Sequence, residues 1–154
     1  MAEKLKAEDI DVIYTSPLAR CRDTALIIQA AMPSVPLVED ELLVERDFGI
    51  FTGLAHAEVD WAKIDTDIEE DLADGVEPLS AMRERMLAFL KKVEAEHGQD
   101  RVCIVTHSNP IRTLYSEFLG INYHETRERY KIGNGSLSIF EIDGGEIKSE
   151  LLDG

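Results

Sequence analysis

Residues 12–20, Val-Ile-Tyr-Thr-Ser-Pro-Leu-Ala-Arg, join a short apolar run to the start of a predicted helix that carries Arg20 in its first turn. Residues 103–107, Cys-Ile-Val-Thr-His, repeat this arrangement, with His107 at the turn and Pro110 opening the next helix. In open α/β sheets, ligands bind outside the carboxyl ends of parallel strands, where helix N-termini and backbone N–H groups favour anions. The two stretches therefore predict a parallel sheet with a pocket for a phosphorylated small molecule.

The size and charge of the chain exclude several classes of protein. Its 154 residues, 44% of them hydrophobic, are enough for one domain with its own core. A net charge of −15 disfavours nucleic-acid binding, which needs a basic surface, and requires any phosphate site to create its own positive potential. No apolar run approaches the roughly 20 residues that span a bilayer, so we expect no membrane partner. Cys21 and Cys103 fall in a predicted helix and a predicted buried strand, which is typical of reduced core cysteines in the cytoplasm.

Periodicity along the chain predicts alternating strands and helices. Apolar spacing indicates a helix opened by Ser16 as N-cap and Pro17, a weaker helix at residues 55–68, and a long one from Pro78 to Gly98. Further predicted elements are the end of a helix at residues 1–7, strands at 12–15, 35–38 and 102–106, and a β-hairpin around Asp143-Gly144-Gly145. This pattern predicts an α/β protein whose mostly parallel sheet has an antiparallel C-terminal edge.

Four residues are candidates for phosphate chemistry, and each has a structural alternative. Arg20 can grip a phosphate together with the helix N-terminus, or can turn away to one of many surface carboxylates. His107 is either a phosphate ligand or a core histidine that hydrogen-bonds to the backbone. Ser108 beside it lacks the nucleophile-elbow pattern of a serine hydrolase. Glu45, in a glycine-bearing loop, is either solvated or held near a phosphate, which would favour its protonated form and let it supply a proton to a leaving oxygen.

The other polar groups show no pattern of a functional site. His56, His97 and His124 have no motif around them and are expected at the surface, and the histidines and cysteines lack zinc-site spacing. The acidic stretch at residues 65–74 lacks the central glycine and alternating ligands of a calcium loop, so we expect a solvated face or loop. The sequence therefore predicts no metal site.

Four segments, in this order, resemble motifs of the histidine phosphatase superfamily, the phosphoglycerate mutase-like group. Residues 15–25, Thr-Ser-Pro-Leu-Ala-Arg-Cys-Arg-Asp-Thr-Ala, are similar to the family's Ser-Ser-Pro-Leu-x-Arg-Ala-x-x-Thr-Ala segment. Residues 43–53 resemble its Leu-x-Glu-x-x-x-Gly-x-x-Glu-Gly loop, and residues 105–112 its Val-Ser-His-Gly-Gly-x-Ile-Arg segment. Residues 134–136 resemble the start of its final strands, so the likeness covers nearly the whole chain.

The resemblance implies a three-layer α/β fold and two-step phosphoryl transfer through a phosphohistidine, on a small phosphorylated metabolite, without metal or organic cofactor. Arg20 would bind the transferring phosphoryl group, with Ser108 as a second phosphate-binding candidate. His107 would stabilise the developing charge, and Glu45 would be the general acid for the leaving group and then the base for water. The short loop at residues 53–78 favours a phosphatase over a glycolytic mutase.

The sequence departs from the family pattern at the nucleophile. The resemblance implies an N-terminal strand ending in Arg-His-Gly, whose histidine attacks phosphorus, but no Arg-His-Gly occurs in the sequence. We therefore expect a single domain, residues 1–154, that is N-terminally incomplete and lacks the first strand of the sheet. Rearrangement of the chain, or strand exchange in a homodimer, is the alternative. Ser108 and Asn109 also replace glycines of the family motif. A catalytically inactive phosphate-binding or regulatory protein is the alternative to an active phosphatase or mutase.

Overall fold

The computed structural model describes residues 2–64, 72–143 and 146–152, and these residues form helices and strands in alternation. The helices are α1 (Ala2–Leu5), α2 (Ala19–Ala31), α3 (Leu79–His97), α4 (Ser108–Leu119) and α5 (Tyr123–Arg129). The strands are β1 (Val12–Thr15), β2 (Leu37–Glu39), β3 (Val102–Val105), β4 (Leu137–Asp143) and β5 (Glu146–Leu152). Short 3₁₀ turns lie at Lys6–Glu8, Glu41–Leu43, Gly49–Phe51, His56–Glu58 and Trp61–Lys63. No helix within these ranges is long and apolar enough to cross a membrane.

Strand β1 is the centre of a parallel sheet with the strand order β2-β1-β3. Its last residue, Thr15, lies beside Glu39 of β2 and Val105 of β3. No more than 3% of any of its four side chains is exposed, as expected for a parallel strand covered on both faces. Strands β4 and β5 pair antiparallel, which confirms the predicted C-terminal hairpin. Within the described residues, this pair forms a sheet of its own.

Successive side chains of β1 point to opposite faces of the sheet and so contribute to two hydrophobic cores. One core lies under α1 and α2, and its buried residues are Leu5, Ile13, Cys21, Ala25, Ile28, Cys103 and Val105. The other lies under α3 and α4, and its buried residues are Val12, Tyr14, Leu43, Met86, Phe89 and Leu114. Helices therefore cover both faces of the parallel sheet. The predicted three-layer α/β fold is confirmed.

The loop between β2 and α3 carries Glu45 and is anchored by two arginines. Only 2% of Arg46 is exposed, and its guanidinium donates to the carbonyl oxygens of Glu77, at 2.8 Å, and Ile64, at 3.1 Å. Arg85 of α3 pairs with the Glu77 carboxylate through two hydrogen bonds of 2.6 and 3.0 Å. Because buried arginine N–H groups need partners, these contacts fix the loop against α3.

Some local predictions are wrong. Helix α2 begins at Ala19 with Leu18 as its N-cap, whereas Ser16 was expected to cap it. The Ser16 hydroxyl accepts a hydrogen bond of 3.3 Å from the Leu18 N–H, one residue before the helix begins. The described part of the helix predicted at 55–68 consists of 3₁₀ turns, and residues 65–68 lie outside the described residues. Helix α5 was not predicted.

The histidines expected at the surface differ in their surroundings. His97 is half-buried; its Nε2 lies 3.2 Å from the buried Tyr14 hydroxyl and its Nδ1 lies 2.8 Å from Oδ2 of the exposed Asp100. His124 is half-buried, and its ring meets that of Tyr123 edge-on. The side chain of His56 and most of the acidic stretch at residues 65–74 lie outside the described residues.

Candidate active site

The candidate site lies where β1 and β3 end side by side. The Ser16 N–H donates to the Val105 carbonyl oxygen at 3.0 Å, which extends the pairing of the two strands by one residue. Beyond that point the chain enters α2 on one side and α4 on the other, so both helix N-termini start at this edge. His107 is the N-cap residue of α4, and its Nε2 lies 2.8 Å from the Ser16 Oγ. This is the edge at which the sequence predicts an anion pocket.

Arg20 and His107 are in direct contact. The Nε of Arg20 donates a hydrogen bond of 3.0 Å to Nδ1 of His107. Because a guanidinium has no acceptor, Nδ1 must carry a lone pair and the ring proton belongs on Nε2, from which it is donated to Ser16. His107 is therefore neutral in this arrangement. Burial, together with the charges of Arg20 and Arg85, lowers the pKa of His107 to about 4.

Cys21 fills the space behind this pair. Its thiol donates to the Thr106 carbonyl oxygen at 3.3 Å, and its Sγ lies 3.4 Å from Nε2 of His107. Burial raises the pKa of the Cys21 thiol; Arg20 acts in the opposite direction and Glu45 in the same direction. The charges of both Arg20 and Glu45 therefore act on the Cys21 thiol.

Glu45 is tied to the start of α4. The side-chain amide of Asn109 donates from Nδ2 to Oε1 of Glu45 at 3.1 Å, and the Arg46 N–H donates to the same oxygen at 2.9 Å. The loop is also fastened to the end of β3, because the Thr106 hydroxyl donates to the Leu43 carbonyl oxygen at 2.7 Å. The carboxylate is therefore held beside the first turn of α4.

The predicted site residues thus meet at one edge of the sheet. Arg20 is exposed, whereas only 5% of His107 is exposed, so the guanidinium is the more accessible of the two groups. Ser108 is the first residue of α4, and among the described residues no hydrogen bond involves its hydroxyl. The roles assigned to these residues in phosphate chemistry remain predictions.

Sequence reasoning missed several residues of the site. Ser16 was considered only as a helix cap, Asn109 only as a replacement of glycine, and Tyr123, which donates to Oδ1 of Asn109, was not considered. Arg85 lies in the middle of an amphipathic helix, where nothing local distinguishes it from other surface arginines. The one available signal was the polar side chain at position 109, two residues after the motif histidine, where the family motif has a glycine.

Within the described ranges, no group of three or more His, Cys, Asp and Glu residues is placed to hold a metal ion.

Comparison with known proteins agrees with the motifs. The model of the histidine phosphatase superfamily (branch 1) matches residues 1–153. The chain is 30% identical over 149 residues to phosphoserine phosphatase 1 of Hydrogenobacter thermophilus. It is 29% identical over 163 residues to a 2,3-bisphosphoglycerate-dependent phosphoglycerate mutase of Parvibaculum lavamentivorans. These alignments cover 93% and 98% of this chain, and the chain spans 70% and 77% of the lengths of the two relatives.

A solved structure shares the fold. The fold superposes on that of YhfR from Bacillus stearothermophilus with a TM-score of 0.86 and 25% sequence identity. The superposition covers 97% of this chain and 77% of that one. The chain belongs to the histidine phosphatase superfamily, branch 1.

Proposed function

We propose that the chain binds the phosphoryl group of a small phosphorylated metabolite and belongs to a phosphatase that acts on it by phosphoryl transfer. The contact between Arg20 and His107 at two helix N-termini is the observation that supports this proposal most directly. An arginine held against an imidazole nitrogen, at the positive ends of two helices, has unfavourable electrostatics without an anion. A bound phosphate dianion is attracted by the guanidinium and by both helix N-termini, which offsets the repulsion between them.

The arrangement suggests a role for each group. The exposed Arg20 guanidinium turns from Nδ1 of His107 to the phosphoryl oxygens, where it can form two parallel hydrogen bonds. With an anion present, His107 gains a proton and becomes a second donor. Glu45 supplies a proton to the leaving oxygen and then accepts one from water. The Ser108 N–H, at the start of α4, is one of the helix donors available to a phosphate oxygen.

The covalent step needs a further histidine. Both ring nitrogens of His107 are engaged, Nδ1 as the acceptor from Arg20 and Nε2 beside Ser16 Oγ, so His107 is poorly placed to attack phosphorus. The sequence contains no Arg-His-Gly, in which the family resemblance locates the nucleophile. These two observations favour a second candidate function, in which the 154-residue chain binds phosphate or a phosphate ester without turnover.

Binding is tested by measuring the affinity for inorganic phosphate by isothermal titration calorimetry. Arg20→Ala should weaken binding by about 10- to 100-fold, because hydrogen bonds to charged groups contribute about 1.5–3 kcal/mol. Arg22→Ala is the matched control, since Arg22 is an exposed arginine two residues further along the same helix and its removal changes the net charge equally. Equal losses in the two variants would contradict a specific phosphate site at Arg20.

Turnover is tested with p-nitrophenyl phosphate on the 154-residue chain and on the same chain extended by a family-type strand ending in Arg-His-Gly. The extended chain should hydrolyse the ester and form an acid-labile phosphoprotein. With an alkyl phosphate, whose leaving group is poor, Glu45→Gln should slow the extended chain by about 10²- to 10⁴-fold. An extended chain that binds phosphate but stays inert would overturn the catalytic proposal and leave phosphate binding as the function.

A further inference from the structure

Asn109 connects the candidate general acid to a helix that sequence reasoning missed. Its Nδ2 donates to Oε1 of Glu45 at 3.1 Å, and the Tyr123 hydroxyl donates to its Oδ1. Rotating the amide by 180° would place Oδ1 against the carboxylate, two acceptors with no proton between them. The carboxylate therefore selects this amide orientation, which leaves Oδ1 to accept from the tyrosine hydroxyl.

The tyrosine is itself held in place. Tyr123 is the first residue of α5, and the side chain of Asn122 caps that helix by accepting a hydrogen bond of 2.8 Å from the Glu125 N–H. The Thr126 hydroxyl donates to the Tyr123 carbonyl oxygen at 2.5 Å. The first turn of α5 therefore orients Asn109 through Tyr123. The family motif has a glycine at position 109, which has no side chain to contact Glu45.

The hydrogen bonds to Glu45 are unequally distributed over its two oxygens. Within the described residues, two groups donate to this carboxylate, the Asn109 amide and the Arg46 N–H. Both donate to Oε1. An oxygen that already accepts two N–H groups is a poor site for a proton, so the proton of the acid form belongs on Oε2.

We infer that Asn109, oriented by Tyr123, is a positioning residue for Glu45, which it holds through Oε1 so that Oε2 shares a proton with an oxygen of the bound phosphate. The inference rests on the proposed function, because it presupposes that phosphate binds beside Glu45. An N–H donor to a carboxylate favours the charged form. Asn109 therefore counteracts the effect of the phosphate dianion, which favours the protonated form, and keeps Glu45 able both to give and to accept a proton.

Other titratable and charged groups surround the site and bear on any pH dependence. They are Arg20 and Cys21 of α2, Arg46 in the loop, Arg85 of α3, His107 before α4, and Tyr123 and His124 of α5. Phosphate itself also titrates near neutral pH. The test must therefore isolate the part of the pH dependence that passes through Glu45.

The test measures the affinity of the 154-residue chain for inorganic phosphate between pH 4 and pH 9 in the wild type and in Asn109→Leu. The ratio of the two affinities should change with pH, because an N–H donor favours the charged form of a carboxyl group and Asn109→Leu removes one. The two affinities should converge at the low end of this range, and at the high end Asn109→Leu should bind up to about tenfold more tightly. Tyr123→Phe should show a smaller change of the same sign.

Two controls separate positioning from general effects. In a Glu45→Gln background, Asn109→Leu should leave the affinity unchanged at every pH, because position 45 no longer carries a titratable group. His107 and phosphate still titrate, but they do so equally in the two proteins that are compared. Tyr115→Phe removes another tyrosine hydroxyl, which donates to Ser138 Oγ at 2.8 Å, and should not change the pH dependence.

The outcomes are distinguishable from those of the proposed function. If Arg20→Ala weakens phosphate binding but Asn109→Leu and Tyr123→Phe change the affinity by the same factor at every pH, the inference is wrong and the proposed function stands. A pH-dependent effect that persists in the Glu45→Gln background also overturns it. If the wild type binds no phosphate at any pH, the proposed function and the inference fail together.

Discussion

Arg20 and His107 are separated by 87 residues in the sequence, yet the Arg20 Nε donates to His107 Nδ1 at 3.0 Å. The contact joins the first turn of α2 to the N-cap of α4 and sets the protonation state of the imidazole. A cation on one ring nitrogen excludes a proton there, so the imidazole is neutral in this arrangement.

The neutral state of His107 predicts a pH-dependent contribution to stability. The pKa of His107 is lowered from 6.5 to about 4 by burial and by the charges of Arg20 and Arg85. A group whose pKa is lower in the folded state stabilises the fold fully above pH 6.5, and this contribution is lost as the pH falls towards 4. We expect the difference in thermal unfolding temperature between the wild type and His107→Gln to shrink across this window. A difference that does not vary with pH would show that His107 is not held neutral by the fold.

Gly49 permits a close approach of two loop segments. Its φ is +54°, and a Cβ at this position would overlap the Asp74 carbonyl oxygen and the Gly75 carbonyl carbon, which are backbone atoms. Gly49→Ala should therefore lower the free energy of unfolding by about 2–4 kcal/mol in urea titrations. Gly53→Ala is the control, because Gly53 has a φ of +85° but no other part of the described chain, apart from its two neighbours, comes within 4 Å of the added Cβ. It should cost only about 1 kcal/mol of backbone strain; equal effects would exclude steric overlap as the cause.

Arg46 and Arg83 offer a comparison between a buried and an exposed arginine. Arg46→Met leaves the carbonyl oxygens of Glu77 and Ile64 without their donor, and we expect a loss of about 2–4 kcal/mol in the free energy of unfolding. Arg83 pairs with Glu117 on the surface, where 56% of its side chain is exposed. Arg83→Met should change stability by no more than about 0.5 kcal/mol. Similar losses in urea titrations would mean that the loop is not fixed by Arg46.

The two thiols should react slowly in the folded protein. Burial raises the pKa of Cys103 to about 11 and also raises that of Cys21. At pH 8 only about one Cys103 side chain in a thousand is then a thiolate, the form that attacks disulfide reagents. We expect Ellman's reagent to react at least about 100-fold more slowly with the native than with the guanidinium-unfolded chain. Single Cys→Ser variants assign the phases, and a fast phase from Cys21 would show that this thiol is accessible to solvent.

Regular elements with a strong period could be predicted from the sequence. Strand β1 has the predicted bounds, and α3 ends at His97, before the predicted stop at Gly98. Such elements follow from local chemistry, because hydrophobic spacing and helix-stopping residues act within a few positions along the chain. The segment at residues 55–64 lacks a clear period and was predicted wrongly as a helix.

Side-chain partners at the site could not be predicted in the same way. Ser16 has the chemistry of a helix cap, but its hydroxyl lies against His107, and the helix begins three residues later. Asn109 meets Glu45 across 64 residues of sequence. Hydrogen bonds of this kind depend on the order of strands in the sheet and on where each loop returns to it.

The family and the order of most elements were determined by the sequence alone, because periodicity and motifs are local in the chain, and the same motifs predict which residues handle phosphate. Only the tertiary structure decided which ring nitrogen of His107 carries the proton. It also decided which carboxyl oxygen of Glu45 accepts the hydrogen bonds and which one is left for a proton. Both depend on donors from distant segments, Arg20 for the imidazole and Asn109 for the carboxylate. The free energy of a proton on a buried group is set by the few atoms around it, and only the folded chain brings those atoms together.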